Sequence, residues 1–211
     1  MYHKIKRLLD IILSLLAMII LSPVILILVI AIKMDSRGPV LFKQKRVGIH
    51  KTHFNILKFR TMKIDTPKDT PTHMLSDPSQ YITWVGRFLR KTSLDELPQI
   101  WNIFRGDMSI IGPRPALWNQ YDLITERDKY SANDIMPGLT GWAQINGRDE
   151  LPIPVKARLD GEYVRKISLR MDMKCFFGTI VSVLKSDGVV EGDLTTGTDN
   201  RTSSNKETAS K

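Results

Sequence analysis

The sequence predicts an α+β fold, mostly helical, with an apolar N-terminal helix and a small folded domain behind it. Three observations carry this. The stretch IILSLLAMIILSPVILILVIAI at 11–32 is long and almost wholly apolar. Residues 36–62 show partial alternation, Val40 and Phe42 then Phe54 and Ile56, with Gly48 in the connection, which predicts a short β-hairpin. Apolar residues then recur at helical spacing in 81–91 and 171–187. The chain therefore divides into 1–35, a membrane helix with basic flanks; 36–191, the folded domain; and 192–211, a polar tail.

The apolar run exceeds the roughly 20 residues that span a bilayer. It is too long for a signal-peptide core, and no small-x-small cleavage site follows, so it is expected to stay on the mature chain. Ser22-Pro23 sits in its middle. Proline removes a backbone donor and kinks a helix, and a neighbouring serine can bond the freed carbonyl. Both flanks are basic: Lys4, Lys6 and Arg7 before, Lys33, Arg37, Lys43, Lys45, Arg46 and Lys51 after. The positive-inside rule keeps basic flanks in the cytoplasm. A bent helix that enters and leaves by one face satisfies both flanks, with arms of about 11 residues or about 16 Å. A kinked spanning helix is the alternative.

The 211 residues suffice for one domain with a sizeable core. Lys and Arg number 31 against 22 Asp and Glu, a net charge of +9 that favours an anionic partner. A nucleic-acid module would share that charge, but it leaves the apolar run unexplained and no such signature is present. Cys175 is the single cysteine, which excludes an intrachain disulfide and suits a reducing compartment. It reads as a small apolar residue of core or membrane face.

Along the domain, 64–80 is rich in Pro, Asp, Thr and Ser and reads as a loop. Segment 81–91, YITWVGRFLRK, reads as a basic amphipathic helix, either at a membrane interface through Trp84 or on an ordinary surface with Phe88 inward. Residues 137–152 are punctuated by glycine and hold a short strand or loop. In 171–187, Phe176, Phe177, Ile180 and Leu184 face core or lipid. The tail 192–211 has almost no apolar content and is expected to be disordered. Its Asn200-Arg201-Thr202 matches a glycosylation pattern by chance in this context. No internal repeat is visible.

The chemistry concentrates in SLDELPQIWNIFRGDMSIIGPRP, residues 93–115. Ser93 and Glu96 fit a capping box, with Asp95 at the positive helix end. That reading is strained by Pro98, because Leu97 before a proline is biased away from helix; a helix starting at Pro98 is the other option. Arginines gather nearby: Arg87, Arg90, Arg105, Arg114 and later Arg148, with Arg114 fixed between two prolines. Guanidinium forks suit phosphate. A carboxylate beside them can hold Mg²⁺ against a diphosphate, or attack phosphorus itself.

Four stretches, GPVLFKQKRVG, FNILKFRTM, TSLDELPQIWNIFRGDMSIIGPRP and MPGLTGWAQINGR, resemble in order and spacing the bacterial sugar transferases, the monotopic phosphoglycosyl transferases of the polyprenyl-phosphate kind. The likeness runs from about residue 1 to 190. It implies transfer of a sugar 1-phosphate from a UDP-sugar to undecaprenyl phosphate, with release of UMP, at the cytoplasmic face of the bacterial inner membrane. That step opens capsule, O-antigen or glycoprotein glycan assembly. By the same likeness Asp95 is the nucleophile and the Mg²⁺ ligand. Glu96 assists it, by deprotonating the lipid phosphate or by tuning Asp95. Arg90, Arg114, Lys58, Arg60 and Arg148 hold phosphates, and Ser22-Pro23 marks the re-entrant break. KIDTP (63–67) and RPALWNQY (114–121) resemble members using N-acetylated, often 6-deoxy, amino sugars. Sugar selectivity is expected in 64–80 and 116–136. A membrane phosphohydrolase or a non-catalytic anchor are the rivals, and the oligomeric state is not legible.

Overall fold

The computed structural model describes residues 2–66, 80–147 and 151–184. Helix α1 (Tyr2–Asp35) runs for 34 residues as one continuous helix that includes Pro23. Pro23 cannot donate to the carbonyl of Ile19, four residues back. The Ser22 hydroxyl donates to that same carbonyl at 2.8 Å, which meets the sequence expectation for this pair. The buried residues of α1, Lys6, Asp10, Ser14, Leu28 and Ile32, fall within an arc of about 80° at 100° per residue. Elsewhere the helix presents bare hydrocarbon: Ile19, Ile20, Leu26 and Ile27 are 60–65% exposed.

Both ends of α1 dock on the same domain. Toward its N-terminus, Lys6 pairs with Asp172 at 2.5 Å, Arg7 donates to the Ile103 and Phe104 carbonyls, and Asp10 accepts from the Ile110 amide. Toward its C-terminus, Leu28 and Ile32 pack with Phe59 and Leu89.

The predicted hairpin is present as β1 (Leu41–Val47) and β2 (His53–Phe59), antiparallel with Phe42 opposite Lys58. Its turn takes left-handed backbone at His50 and Lys51 rather than at Gly48. The predicted helix at 81–91 begins later, as α2 (Trp84–Lys91), capped by the Thr83 hydroxyl. Trp84 and Phe88 are 80% and 54% exposed while Leu89 is fully buried, so Phe88 is not the inward anchor. Helix α3 (Gln99–Arg105) follows, then strand β3 (Ser109–Ile111). The glycine-rich segment supplies β4 (Gly138–Thr140), parallel to β3, and α5 (Trp142–Ile145). Helices α4 (Tyr121–Asp128) and α6 (Ile153–Arg165), which the sequence reading leaves unassigned, are joined by a buried Arg127–Asp160 pair at 2.6 Å.

The helix predicted at 171–187 is present as α7 (Leu169–Leu184), with 185–187 outside the described residues. Cys175 is in its buried face, with Met171 and Tyr163, while Phe176, Phe177 and Ile180 face outward. The loop predicted at 64–80 lies mostly, and the tail at 192–211 wholly, outside the described residues.

Candidate active site

The acidic pair sits on a tight turn between α2 and α3. Ser93 takes a left-handed conformation, φ 56°, which turns the chain after α2. Leu94–Glu96 then form a single 3-10 turn, and Pro98 precedes the first residue of α3. In a 3-10 turn, residues three apart eclipse. Leu94 and Leu97 accordingly pack together on the Leu28–Ile32 cluster, and Asp95 and Glu96 lie between them.

The capping-box expectation is not met. Ser93 makes no side-chain cap bond. The Glu96 carboxylate turns instead to two cations: Oε1 accepts from Lys58 Nζ at 2.8 Å and from Arg114 Nη2 at 2.7 Å. A carboxylate gains more from two charged donors than from one backbone amide. Asp95 Oδ2 is 3.5 Å from the same Lys58 Nζ.

The two acids are driven apart in proton affinity. Burial pushes Asp95 above the usual aspartate range; Lys58 and Arg90 pull down, Glu96 pushes up, and the net direction is upward. Burial also disfavours charged Glu96, but Arg114 and Lys58 together outweigh it and hold its carboxyl well below the usual range. Neighbouring carboxylates with environments of opposite sign are a recurring arrangement for dividing chemical roles.

Three elements deliver the cations. Lys58 stands on β2. Arg90 is in the last turn of α2, within electrostatic reach of Asp95. That helix is set by Asp35 at the end of α1, whose Oδ2 accepts from the Val85 amide at 3.1 Å. Arg114 follows β3 on a segment held against close-packed backbone. A Cβ on Gly138 would collide with the Gly112 amide nitrogen, and one on Gly141 with the Gly112 carbonyl oxygen, so the glycines behind Arg114 are steric necessities.

The structure brings together Asp95, Glu96, Lys58, Arg90 and Arg114. It places Arg60 elsewhere, at the end of α1. The Arg60 side chain donates to the Arg37 and Ser36 carbonyls at 2.6 and 2.7 Å and to the Ser36 hydroxyl. Carbonyls beyond a helix C-terminus are orphan acceptors at the negative end of the dipole, and Arg60 closes α1 there. Arg148 lies outside the described residues. Arg105 pairs with Asp107 at 3.4 Å. Sequence reasoning misses Asp35, and nothing in its local context signals a partner 50 residues away.

Among the described residues no group of three His, Cys, Asp or Glu side chains forms a metal cage. Asp95 is the carboxylate less engaged by cations.

Comparison with known proteins identifies the family. The family model described as bacterial sugar transferase matches residues 1–186. The uncharacterized sugar transferase EpsL of Bacillus subtilis is 39% identical over 87% of this chain and 89% of its own length. The UDP-glucose:undecaprenyl-phosphate glucose-1-phosphate transferase of Escherichia coli is 41% identical over 83% of this chain but 39% of its own. The undecaprenyl-phosphate galactose phosphotransferase of Salmonella typhimurium is 34% identical over 87% of this chain and 41% of its own. The chain thus spans under half of these two longer relatives.

Proposed function

The chain belongs to the bacterial sugar transferase family, and we propose that it moves a sugar 1-phosphate from a UDP-sugar to undecaprenyl phosphate, releasing UMP. The relatives named for that transfer support the reaction class. The observation that carries it here is the asymmetry of the acidic pair: Glu96 is clamped by two cations, while Asp95 stands beside them with raised basicity.

Asp95 attacks the sugar-bearing phosphorus of the donor. The bond from that phosphorus to the bridging oxygen breaks, and UMP leaves with the electron pair. A phosphate oxygen of the lipid then attacks the same phosphorus and returns Asp95 as a free carboxylate. Raised basicity makes Asp95 a stronger nucleophile once ionised. Of the two roles open to Glu96, the geometry favours tuning. A carboxyl held ionised by Lys58 and Arg114 is a poor proton acceptor, and a phosphate monoester needs little help to ionise near neutral pH. Glu96 orients Lys58 toward Asp95 and Arg114 toward the incoming diphosphate. Phosphoryl transfer demands chiefly such positioning and charge neutralisation.

Mg²⁺ fits this donor set. One protein carboxylate, Asp95, completed by diphosphate oxygens is a common mode for the ion, and it would neutralise charge on the leaving group.

We read α1 as a re-entrant helix that enters and leaves by the cytoplasmic leaflet. Both ends dock on one domain, the break is satisfied at Ile19, and the outer face is hydrocarbon. The finer donor proposal is an N-acetylated amino sugar, on the resemblance of 63–67 and 114–121; glucose and galactose are its competitors.

The test is UMP release by the detergent-solubilised protein with Mg²⁺ across a panel of UDP-sugars, with and without undecaprenyl phosphate. Sustained release from one donor only with lipid is expected. Equal release without lipid would mean hydrolysis, and none from folded protein would remove the transferase reading.

A further inference from the structure

We propose that Arg46 is a positioning residue that holds the Arg114 guanidinium on Glu96. The role in transfer rests on the transferase reading; the geometry stands without it. Pro113 and Pro115 flank Arg114, and neither has an N–H. At those two positions the segment can be fixed only through its carbonyls. The Pro113 carbonyl accepts from the Gly138 amide at 2.9 Å, a backbone bond from β4. The Pro115 carbonyl accepts from Arg46 Nη1 at 3.0 Å. Arg114 is therefore gripped on both sides, once by backbone and once by a side chain.

Arg46 is suited to this by its fork. Its Nη2 donates to Gln44 Oε1 at 2.6 Å, so one planar group bonds two acceptors and has little freedom left. The neighbouring backbone follows: the Val47 amide donates to the Ala116 carbonyl at 3.0 Å, and Arg46 bridges Leu117 in antiparallel register. The segment after Arg114 thus meets β1 at one isolated antiparallel bridge. On the other side of the hairpin, β2 carries Lys58. One two-stranded ribbon consequently sets both cations that meet on Glu96 Oε1.

A lysine at position 46 keeps the charge and the strand but cannot fork. Arg46→Lys is expected to loosen Arg114 without unfolding the domain. The direct readout is arginine modification by phenylglyoxal, mapped by mass spectrometry on the full-length protein. Arg114 is 33% exposed, and Arg105, 66% exposed and on α3, serves as internal reference. Arg46→Lys should raise Arg114 labelling about threefold or more, toward the level in Glu96→Gln, with Arg105 unchanged. In the same variant UMP release should fall about 10- to 100-fold, the scale of a displaced catalytic cation. It should not fall further when Arg46→Lys is added to Arg114→Ala, because Arg46 acts through Arg114.

Unchanged Arg114 labelling overturns the proposal, as does an equal further drop in the Arg114→Ala background. If wild type releases no UMP from any donor, the transferase reading fails and the labelling alone decides this one. If Arg46→Lys does not fold, Gln44→Met decides: it removes the second acceptor, and raised Arg114 labelling supports the grip while none refutes it.

Discussion

Replacing Lys58 and Arg114 by methionine, singly and together, tests whether Glu96 is held redundantly. The Lys58–Glu96 contact is 2.8 Å and the Arg114–Glu96 contact 2.7 Å. At an effective dielectric of about 20 each is worth about 6 kcal/mol of gross attraction. Most of that is cancelled by desolvation, since the Lys58 and Glu96 side chains are only 19% and 18% exposed. Losing one cation leaves Glu96 paired with the other, so each single variant should cost about 1 kcal/mol. Losing both leaves a buried carboxylate with neither cation, which costs about 3–5 kcal/mol. The double variant should therefore exceed the sum of the singles by about 2 kcal/mol. Urea unfolding in detergent, followed by tryptophan fluorescence, measures this at pH 7. The excess should shrink at lower pH. In wild type, Glu96 has a depressed pKa, and its stabilisation is lost only as pH falls through that low value. In the double variant the clamp is gone, and protonation relieves the stranded charge. Additive losses at pH 7, or a single variant as costly as the double, would refute the shared clamp.

Asp95→Asn should abolish UMP release, by about 10⁴-fold or more, and yet raise stability at neutral pH. Asp95 has a raised pKa, so its ionised form is disfavoured by folding; the gain from asparagine should fade as pH drops through that raised value, seen in melts across pH. Gln99→Met should stabilise by about 1 kcal/mol in the same melts. Gln99 is fully buried and neither atom of its amide has a partner among the described residues, a cost that the thioether removes. For α1, cysteines at positions 4 and 37 in a Cys175→Ala background should both react with an impermeant maleimide from the cytoplasmic side of oriented vesicles; opposite sidedness would establish a spanning helix.

Elements whose signals are local were legible. The Ser22 bond was readable because proline frees a specific carbonyl, and the serine that meets it is adjacent in sequence. The hairpin was readable from alternation around a turn. The parallel β3–β4 pair was not: three residues each, joined through a helix, with a pattern that glycine packing at 112, 138 and 141 explains only in three dimensions. Among the basic residues, sequence gave no means to separate Lys58, which reaches Glu96, from Arg60, two positions on, which closes α1. Alternation along β2 would put both on one face; the strand ends at Phe59, and Arg60 turns away.

The most informative failure is at Ser93. By local rules SLDE should start a helix, with Glu96 bonded back to the Ser93 amide and Asp95 at the positive end. Both acids would then be satisfied by backbone and drawn away from the cations. Instead the Ser93 amide donates to the Arg90 carbonyl, and Ser93 adopts a left-handed conformation that costs about 1 kcal/mol or more. The turn that results ties Leu94 and Leu97 to the C-terminal part of α1 and leaves Asp95 and Glu96 for Lys58, Arg90 and Arg114. A sequence that forgoes an available cap for a strained turn is retaining those carboxylates for something other than helix stability.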